Sequence, residues 1–284
     1  MQSLWMLMAS FLFAIMGVFV KFASSDYSPA EIVFYRSVFG VAGMAIFART
    51  QNYALATPHL VSHLLRGTLG FLSLWMWFYT LARLPLATSV TLNYTSPLWV
   101  ALFATVYFRD RIHWQLPAGL ALGFVGVLLM LQPTLTEDQY TIGAIGVGSG
   151  VLAAFAYLTL RRLSEMGEPE WRTVYYFAMT SLICAAVWMT VEGTHVLTLR
   201  GAALLSGVGI SATLAQLALT RAFGRGHTLL TANLGYSGIV FAIIFGIAFW
   251  GETLPFIGWV GMALTVGSGA LATWSVRQRG DITV

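Results

Sequence analysis

The residues best suited to bind a ligand are uncharged polar and aromatic side chains inside long apolar runs. Asn93 and Tyr94 fall in one such run, and Asn233 and Tyr236 fall in another, with 142 positions between the two tyrosines. An amide or phenol surrounded by lipid or protein needs a polar partner, because burying it without a hydrogen bond is costly. These four residues therefore predict polar binding points within an apolar environment.

Five further residues complete the predicted substrate-binding set. Trp75 and Tyr79 lie one helical turn apart and hence on one helix face. Pro97 lies near the middle of its apolar run, where it would remove a helix hydrogen bond and free a carbonyl group. Tyr157 and Gln216 each bring a polar group into another apolar run. The full predicted set is Trp75, Tyr79, Asn93, Tyr94, Pro97, Tyr157, Gln216, Asn233 and Tyr236.

A cavity with aromatic walls and a few amides suits a small ligand that has an apolar body and a polar end. It suits a phosphorylated ligand poorly, because a dianion requires Arg or Lys in the pocket. Each aromatic residue has an alternative role as an interhelical or lipid-facing packing residue, and the sequence leaves that alternative open.

Two charged residues, Glu31 and Arg36, lie near the predicted outer face. They could pair with each other, with Lys21 or with a zwitterionic ligand. At five positions apart they do not share a face as directly as i,i+4 neighbours do. Structural anchoring at the interface is favoured over a role as an outer gate.

The sequence offers no obvious carboxylate for a proton relay at the centre of the membrane. Asp110, Glu192 and Glu252 fall at the ends of apolar runs. Facilitated diffusion is therefore favoured over proton coupling. The coupled alternative stays open, because a carboxylate at a helix end can still relay protons through a water-filled cavity.

Enzymatic and metal chemistry find no support in the residue spacing. No nucleophile and base stand at a defined spacing, and His59 and His63 lack the third ligand of a zinc site. The single Cys184 allows neither a disulfide nor a Cys-based metal site. The sequence predicts no catalytic residues, no metal and no cofactor.

The composition indicates an integral membrane protein. Of the 284 residues, 58% are hydrophobic and 9% are charged, whereas a soluble domain carries about 25% charged residues. The formal net charge of +4 comes from basic residues scattered singly or in pairs. The predicted partners are thus the lipid bilayer and a small-molecule substrate, and not nucleic acid. The oligomeric state is undetermined, and a monomer is compatible with the sequence.

The apolar runs predict an all-α protein with ten transmembrane helices, because each run is about the 20 residues that a helix needs to cross lipid and the runs are continuous rather than alternating. The predicted spans are 3–23, 30–48, 65–82, 86–107, 115–132, 142–162, 172–190, 200–221, 228–249 and 255–276.

The distribution of basic residues predicts that both termini are cytoplasmic. With a cytoplasmic N-terminus, the opposite side holds Lys21, Arg83 and Arg200. The eleven residues on the cytoplasmic side are Arg49, Arg66, Arg109, Arg111, Arg161, Arg162, Arg172, Arg221, Arg225, Arg277 and Arg279.

The chain also carries an internal echo. VYFRDRI at 106–112 aligns with AFWGETL at 248–254, so that Asp110 falls on Glu252 while both arginines are absent from the second copy. Chance similarity between apolar segments is the alternative. If the echo is a true repeat, residues 1–134 and 135–284 are two five-helix halves. An odd number of helices inverts the second half, and a central cavity then lies where the halves meet. The missing arginines fit that inversion, since they would lie on the outer side.

These features resemble a known family. The pattern is a Pro–x6–Arg motif together with a carboxylate followed nine residues later by glycine in each half, at Pro29, Arg36, Asp110, Gly119, Glu252 and Gly261. The chain resembles the EamA type of the drug/metabolite transporter superfamily, and within it bacterial exporters of amino acids, including aromatic ones (the YddG type).

The resemblance implies a multi-pass protein of the bacterial inner membrane. It would export small amphipathic metabolites, above all amino acids, including aromatic and apolar ones, by alternating access. One departure is Tyr176, which stands where the first half has Arg36, so a role for that arginine is not duplicated.

Other functions make different demands on the sequence. A proton-coupled multidrug or metabolite exporter stays open as an alternative. A nucleotide-sugar or phosphate exchanger would need basic residues inside the bundle, and we expect none there. A lipid-modifying membrane enzyme would need a cluster of His or carboxylate residues at one interface, and the sequence shows none.

Overall fold

The computed structural model describes residues 2–81, 83–84, 86–108, 114–133, 135–251 and 253–278, and within these ranges it is helical and contains no strand. The α-helices are α1 (Trp5–Ala23), α2 (Pro29–Thr50), α3 (Leu60–Leu81), α4 (Leu86–Asn93), α5 (Ser96–Phe108), α6 (Gln115–Leu131), α7 (Tyr140–Glu165), α8 (Glu170–Glu192), α9 (Leu199–Arg225), α10 (Thr228–Gly235), α11 (Ser237–Trp250) and α12 (Phe256–Gln278).

The helices have the length and composition of an integral membrane protein. Among the described residues, seven helical stretches are long and apolar enough to cross a membrane. The predicted all-α membrane class is confirmed, while the count of ten spans stays a prediction. The seven stretches are Gln2–Ala23, Pro29–Thr50, Glu137–Glu165, Glu170–Glu192, Leu199–Arg225, Thr228–Trp250 and Phe256–Trp274.

Two predicted spans, 86–107 and 228–249, each contain a short interruption of the helix, although Thr228–Trp250 still counts as one stretch long enough to cross a membrane. The first divides into α4 and α5 around Tyr94 and Thr95, and the second divides into α10 and α11 at Tyr236. Pro97 therefore does not lie deep in a helix. It occupies the second position of α5, where its missing N–H has no helical acceptor to lose.

Helix boundaries recur at one interval along the chain. Helix α4 ends at residue 93 and α10 ends at 235. In the same way α1 and α7 end at 23 and 165, and α2 and α8 end at 50 and 192. Each pair is separated by 142 residues (235 − 93, 165 − 23 and 192 − 50), the interval between Tyr94 and Tyr236.

Helices from the first part of the chain pack against helices from the second part. Helix α1 packs against α9, α3 against α7, α2 against α8, and α6 against α12. The α6–α12 contact is close enough that a β-carbon on Gly126 would lie 2.6 Å from the Gly261 carbonyl oxygen, so that glycine is needed there. The largest buried cluster includes Val100, Leu120 and Phe223, and it extends to Tyr236 beside the second helix break.

Candidate functional site

The two helix breaks meet inside the bundle. Tyr94, at the first break, points at Gly238 in the first turn of α11. A β-carbon on Gly238 would lie 2.7 Å from the Tyr94 hydroxyl oxygen. Helix α5 also packs against α10. The structure thus brings the polar residues of the two distant sequence segments to one place.

Both breaks use the same local chemistry. The Thr95 hydroxyl donates to the Leu92 carbonyl oxygen at 2.6 Å, and the Ser237 hydroxyl donates to the Leu234 carbonyl oxygen at 2.7 Å. An interrupted helix leaves carbonyl groups without their usual partners, and hydroxyl side chains can satisfy them at membrane depth. The two pairs again differ by 142 positions (237 − 95 and 234 − 92).

Asn93 is held by the neighbouring helix α7. Its Nδ2 donates to the Ser149 hydroxyl oxygen at 3.1 Å, and that hydroxyl in turn donates to the Gly146 carbonyl oxygen at 2.7 Å. Small residues make the approach of α7 to the break close, since a β-carbon on Gly150 would lie 3.2 Å from the Asn93 carbonyl oxygen. The amide is therefore positioned by protein contacts.

Asn233 and Tyr236 are buried without hydrogen-bond partners. Asn233 is 2% exposed and Tyr236 is fully buried. Among the described residues, neither the amide nitrogen and oxygen of Asn233 nor the hydroxyl of Tyr236 has a partner. Such groups are uncommon in folded proteins, because each forfeits its hydration without a replacement bond. Both side chains pack against α6, since a β-carbon on Gly119 would lie 3.6 Å from Asn233 Nδ2 and one on Gly123 would lie 2.9 Å from Tyr236 Cδ2. That they bind substrate stays a prediction.

Tyr157 and the Trp75–Tyr79 pair take different places. Tyr157 stacks on Phe223 at 4.8 Å between ring centroids and is electrostatically coupled to Tyr94. Trp75 is 41% exposed, and its ring lies 6.2 Å from that of Tyr79. Tyr79 itself receives the Arg83 guanidinium over its ring at 3.8 Å. The structure brings Tyr157 towards the breaks and leaves Trp75 at the surface.

Gln216 and Arg36 line a small cavity between α2, α8 and α9. Its volume of about 20 Å³ is room for about one water molecule. Phe177 and Ser181 of α8 line it as well. Arg36 thus lines a cavity between helices, and its role as an anchoring charge or gate stays a prediction.

Glu31 is engaged elsewhere and does not pair with Arg36. It forms a capping box with Ser28 at the start of α2. Its carboxylate accepts from the His195 backbone N–H at 2.6 Å and lies 2.8 Å from His195 Nδ1. Ala30 N–H donates to Glu192 at 3.3 Å, so the start of α2 meets the end of α8. Glu31 therefore joins two helix ends.

Arg66 is a residue whose place the sequence analysis missed. It was assigned to the cytoplasmic boundary, yet it is 3% exposed and lies against Phe177 inside the bundle. The expectation that the bundle holds no basic residues is therefore wrong. Helix α3 begins at Leu60, which places Arg66 almost two turns into the helix rather than at its end. A signal was present, because an arginine followed by the small residues Gly67 and Gly70 has room to lie along its own helix.

A polar cluster fastens the start of α8 to the segment before α3. Glu168 accepts hydrogen bonds from the Thr57 hydroxyl and from Arg172 Nη1, and His63 Nε2 lies 3.2 Å from its carboxylate. Burial acts to raise the pKa of the Glu168 carboxyl, but the bonds from Thr57, Arg172 and His63 outweigh it and hold that pKa below its ordinary value. Stacking of Tyr176 on His63 completes the cluster.

Metal chemistry gains no candidate from the part of the chain that the structure describes, where no three His, Cys, Asp or Glu residues cluster. Asp110 and Glu252, the paired carboxylates of the sequence echo, lie outside the described residues.

The fold and sequence match known transporters. A sequence profile of the EamA-like transporter family matches residues 1–132. The pseudopaline exporter CntI of Pseudomonas aeruginosa is 33% identical over 264 residues, covering 93% of this chain and 90% of that protein. A riboflavin transporter of Vibrio cholerae is 24% identical over 286 residues, covering 97% and 94%. A solved crystal structure shares the fold with a TM-score of 0.85 at 19% identity, covering 96% of this chain and 98% of that one.

Membership follows from the full-length similarity to CntI and from the family profile together. The helical membrane fold agrees with it, and the relatives are named transporters rather than enzymes. The predicted resemblance is confirmed at the level of the family, while the likeness to YddG-type exporters stays a prediction. The chain belongs to the EamA-like transporter family of the drug/metabolite transporter superfamily.

Proposed function

We propose that this protein is a secondary transporter that exports small amphipathic metabolites, above all amino acids, including aromatic and apolar ones. The observation that carries the proposal is the meeting of two interrupted helices beside buried, unpartnered polar groups, Asn233 and Tyr236. Interrupted helices at membrane depth are where transporters build substrate sites. A related exporter of pseudopaline and a related transporter of riboflavin handle small molecules, which supports a small-molecule substrate.

The proposed architecture is ten spans in two inverted five-helix halves, 1–134 and 135–284. The interval of 142 residues that recurs between the ends of α1 and α7, α2 and α8, and α4 and α10 supports the repeat. Helices α2 and α8 occupy equivalent positions in that register and run antiparallel, since Ala30 at the start of α2 meets Glu192 at the end of α8. Equivalent helices that run in opposite directions are what an inverted repeat requires.

The proposed location is the bacterial inner membrane, with both termini in the cytoplasm, as the arginine distribution predicts. In this orientation Tyr53 lies at the cytoplasmic end of α8, where its ring stacks on that of Trp171 with 5.9 Å between the centroids. The Glu31–His195 contact lies at the opposite, outer end. The two contacts would close opposite ends of the bundle.

The proposed mechanism is alternating access, with the halves moving about the site between the helix breaks. Facilitated transport is the favoured form, since the buried carboxylates of Glu31 and Glu168 lie near opposite helix ends and already have protein partners. Proton-coupled export is the competing mechanism, and it requires a pH gradient for net transport.

Reconstitution tests this proposal directly. The purified protein in liposomes is assayed for uptake of a panel of radiolabelled amino acids, with and without an imposed pH gradient. Saturable transport of at least one amino acid without a pH gradient is the expected result. Transport that occurs only with the gradient contradicts the facilitative mechanism, and no transport of any amino acid contradicts the substrate assignment.

A further inference from the structure

Two arginine side chains approach the same aromatic ring inside the bundle. Arg66 on α3 places its Cζ 4.3 Å from the Phe177 ring centroid, and Arg36 on α2 places its Cζ 5.9 Å from it. The two arginines also interact electrostatically with each other, and Arg66 interacts with Tyr157. Tyr157 is in turn coupled to Tyr94 at the first helix break. Helix α3, which carries Arg66, packs against α7 and α4 and therefore lies beside the first helix break.

Neither arginine has a counter-ion among the described residues. Arg66 is 3% exposed, and its Nε and Nη1 have no hydrogen-bond partner. Glu31, the acidic residue nearest to Arg36 in sequence, is occupied by His195. Glu168 is occupied by Arg172 and Thr57. A guanidinium at such depth loses hydration that an aromatic ring only partly replaces, so two unpaired ones create a strong demand for negative charge.

A further donor faces the same region. Ser181 lines the small cavity beside Arg36 and Gln216, and its hydroxyl is buried without a partner. The neighbouring hydroxyl of Thr213 already donates to the Gly209 carbonyl oxygen at 2.7 Å. The cavity holds about 20 Å³ in this conformation. A substrate would therefore enter only as α2, α8 and α9 separate, which is the movement that alternating access requires.

We propose that Arg36 and Arg66 recognise two carboxylates of the transported substrate, so that the preferred substrate is a small amino dicarboxylic acid rather than a neutral amino acid. This inference rests on the proposed transport of amino acids, and within that class it replaces the aromatic and apolar substrates with acidic ones. A neutral zwitterion contributes no net negative charge and leaves both guanidiniums uncompensated. A second carboxylate on the substrate supplies that net negative charge.

The geometry favours two carboxylates over one phosphate group. Each guanidinium presents a planar fork that matches a carboxylate with two parallel hydrogen bonds. The two forks come from different helices, α2 and α3, and lie 5.9 Å and 4.3 Å from the centroid of the Phe177 ring. A single phosphate would need both guanidiniums on one small group.

The test compares glutamate with glutamine, which have almost the same shape and differ by one carboxylate. Each is added to the purified full-length protein, and the unfolding midpoint is followed as a function of ligand concentration. A ligand that binds the folded state raises the midpoint. We expect glutamine to need at least about tenfold more concentration than glutamate for the same shift, which corresponds to the loss of one charge-assisted contact. Arg66→Gln and Arg36→Gln should each abolish the preference, and Arg66→Lys should restore part of it.

A glycine substitution probes the arginine without removing its charge. A β-carbon on Gly70 would meet Arg66 Nη1 and would lie 2.9 Å from Phe177 Cε2. Gly70→Ala should therefore displace the guanidinium and reduce the preference for glutamate. The matched control is Gly43→Ala on α2, where an added β-carbon meets nothing within 4 Å. If Arg66→Gln does not fold, Gly70→Ala and Arg36→Gln carry the test.

The outcomes separate this inference from the proposed function. Equal binding of glutamate and glutamine by the unaltered protein, or no binding of either, overturns the dicarboxylate assignment. Stronger binding of O-phosphoserine than of glutamate also overturns it and assigns the arginines to phosphate. Arg66-dependent glutamate binding without transport of any amino acid in liposomes supports the anion site and contradicts the transport function. If the protein transports neutral amino acids and the arginine variants leave that transport unchanged, the transport function is supported and the anion site is contradicted.

Discussion

Tyr94 and Gly238 contact each other although 144 positions of sequence separate them (238 − 94), and each belongs to a helix break. Tyr94 fills the space that a side chain at residue 238 would need. The contact joins the two segments that carry the candidate substrate residues, so its geometry sets the spacing of the site.

Enlarging Gly238 should impair transport. Gly238→Ala places a methyl group 2.7 Å from the Tyr94 hydroxyl oxygen, which forces the tyrosine or α11 to shift. Overpacking of this kind costs about 1–3 kcal/mol, and a shift of about 1 Å at a binding site can reduce activity about 100-fold. Gly267→Ala is the control, because a β-carbon there meets nothing within 4 Å. Equal uptake by both variants in liposomes would show that the contact does not position the site.

Removing the unpartnered polar groups should separate stability from function. Asn233→Leu and Tyr236→Phe delete groups that have no protein partner, so we expect unfolding midpoints that are unchanged or higher. Transport should fall about 10- to 100-fold, since each group would otherwise bind the substrate. Tyr140→Phe, at an exposed tyrosine, is the control. A drop in stability with normal transport would instead identify these residues as structural.

Stability should depend on pH through Glu168. Its partners lower the folded-state pKa, so its contribution is fully present above the unfolded-state value of about 4.3 and is lost as the pH falls through the lower folded-state pKa. Glu168→Gln should lower the free energy of unfolding at pH 7 by about 1–3 kcal/mol. It should also make the loss of stability below about pH 4.3 less steep. Glu137→Gln, at an exposed position, is the control. Matching acid profiles for Glu168→Gln and the unaltered protein would refute the assignment.

Inversion of the halves predicts opposite labelling of equivalent positions. Gln51 follows α2 and Thr194 follows α8, and both are exposed. In a Cys184→Ser background, Gln51→Cys should react with an impermeant thiol reagent only from the cytoplasmic side, and Thr194→Cys only from the outer side. Reaction of both from the same side would contradict the inverted repeat.

The sequence predicted the class and most of the helix positions, because apolar runs and connecting residues are local features. It also paired Tyr94 with Tyr236. Thr95, Ser96 and Pro97 were a sequence signal for the first helix break, since hydroxyl residues before a proline are typical of a helix start. The run of apolar residues on both sides outweighed that signal.

The small residues after Arg66 are too weak a signal to place it inside the bundle from the sequence alone. Its position near the end of an apolar run fits a topology signal as well as a buried charge, and the choice depends on the facing helix α8, which contributes Phe177. Likewise, the Asn233 amide lacks a hydrogen-bond partner because of how the helices pack, and the residues next to it in sequence do not reveal this. Long-range packing decides both cases.

The most direct test of the account is counterflow in liposomes loaded with unlabelled amino acid, in which the unaltered protein is compared with Asn233→Leu. The account predicts that labelled amino acid accumulates transiently without a pH gradient, and that Asn233→Leu, although folded, abolishes this accumulation while Tyr140→Phe preserves it. No accumulation of any amino acid by the unaltered protein, or full accumulation by Asn233→Leu, would contradict the claim that the two helix breaks frame the substrate site.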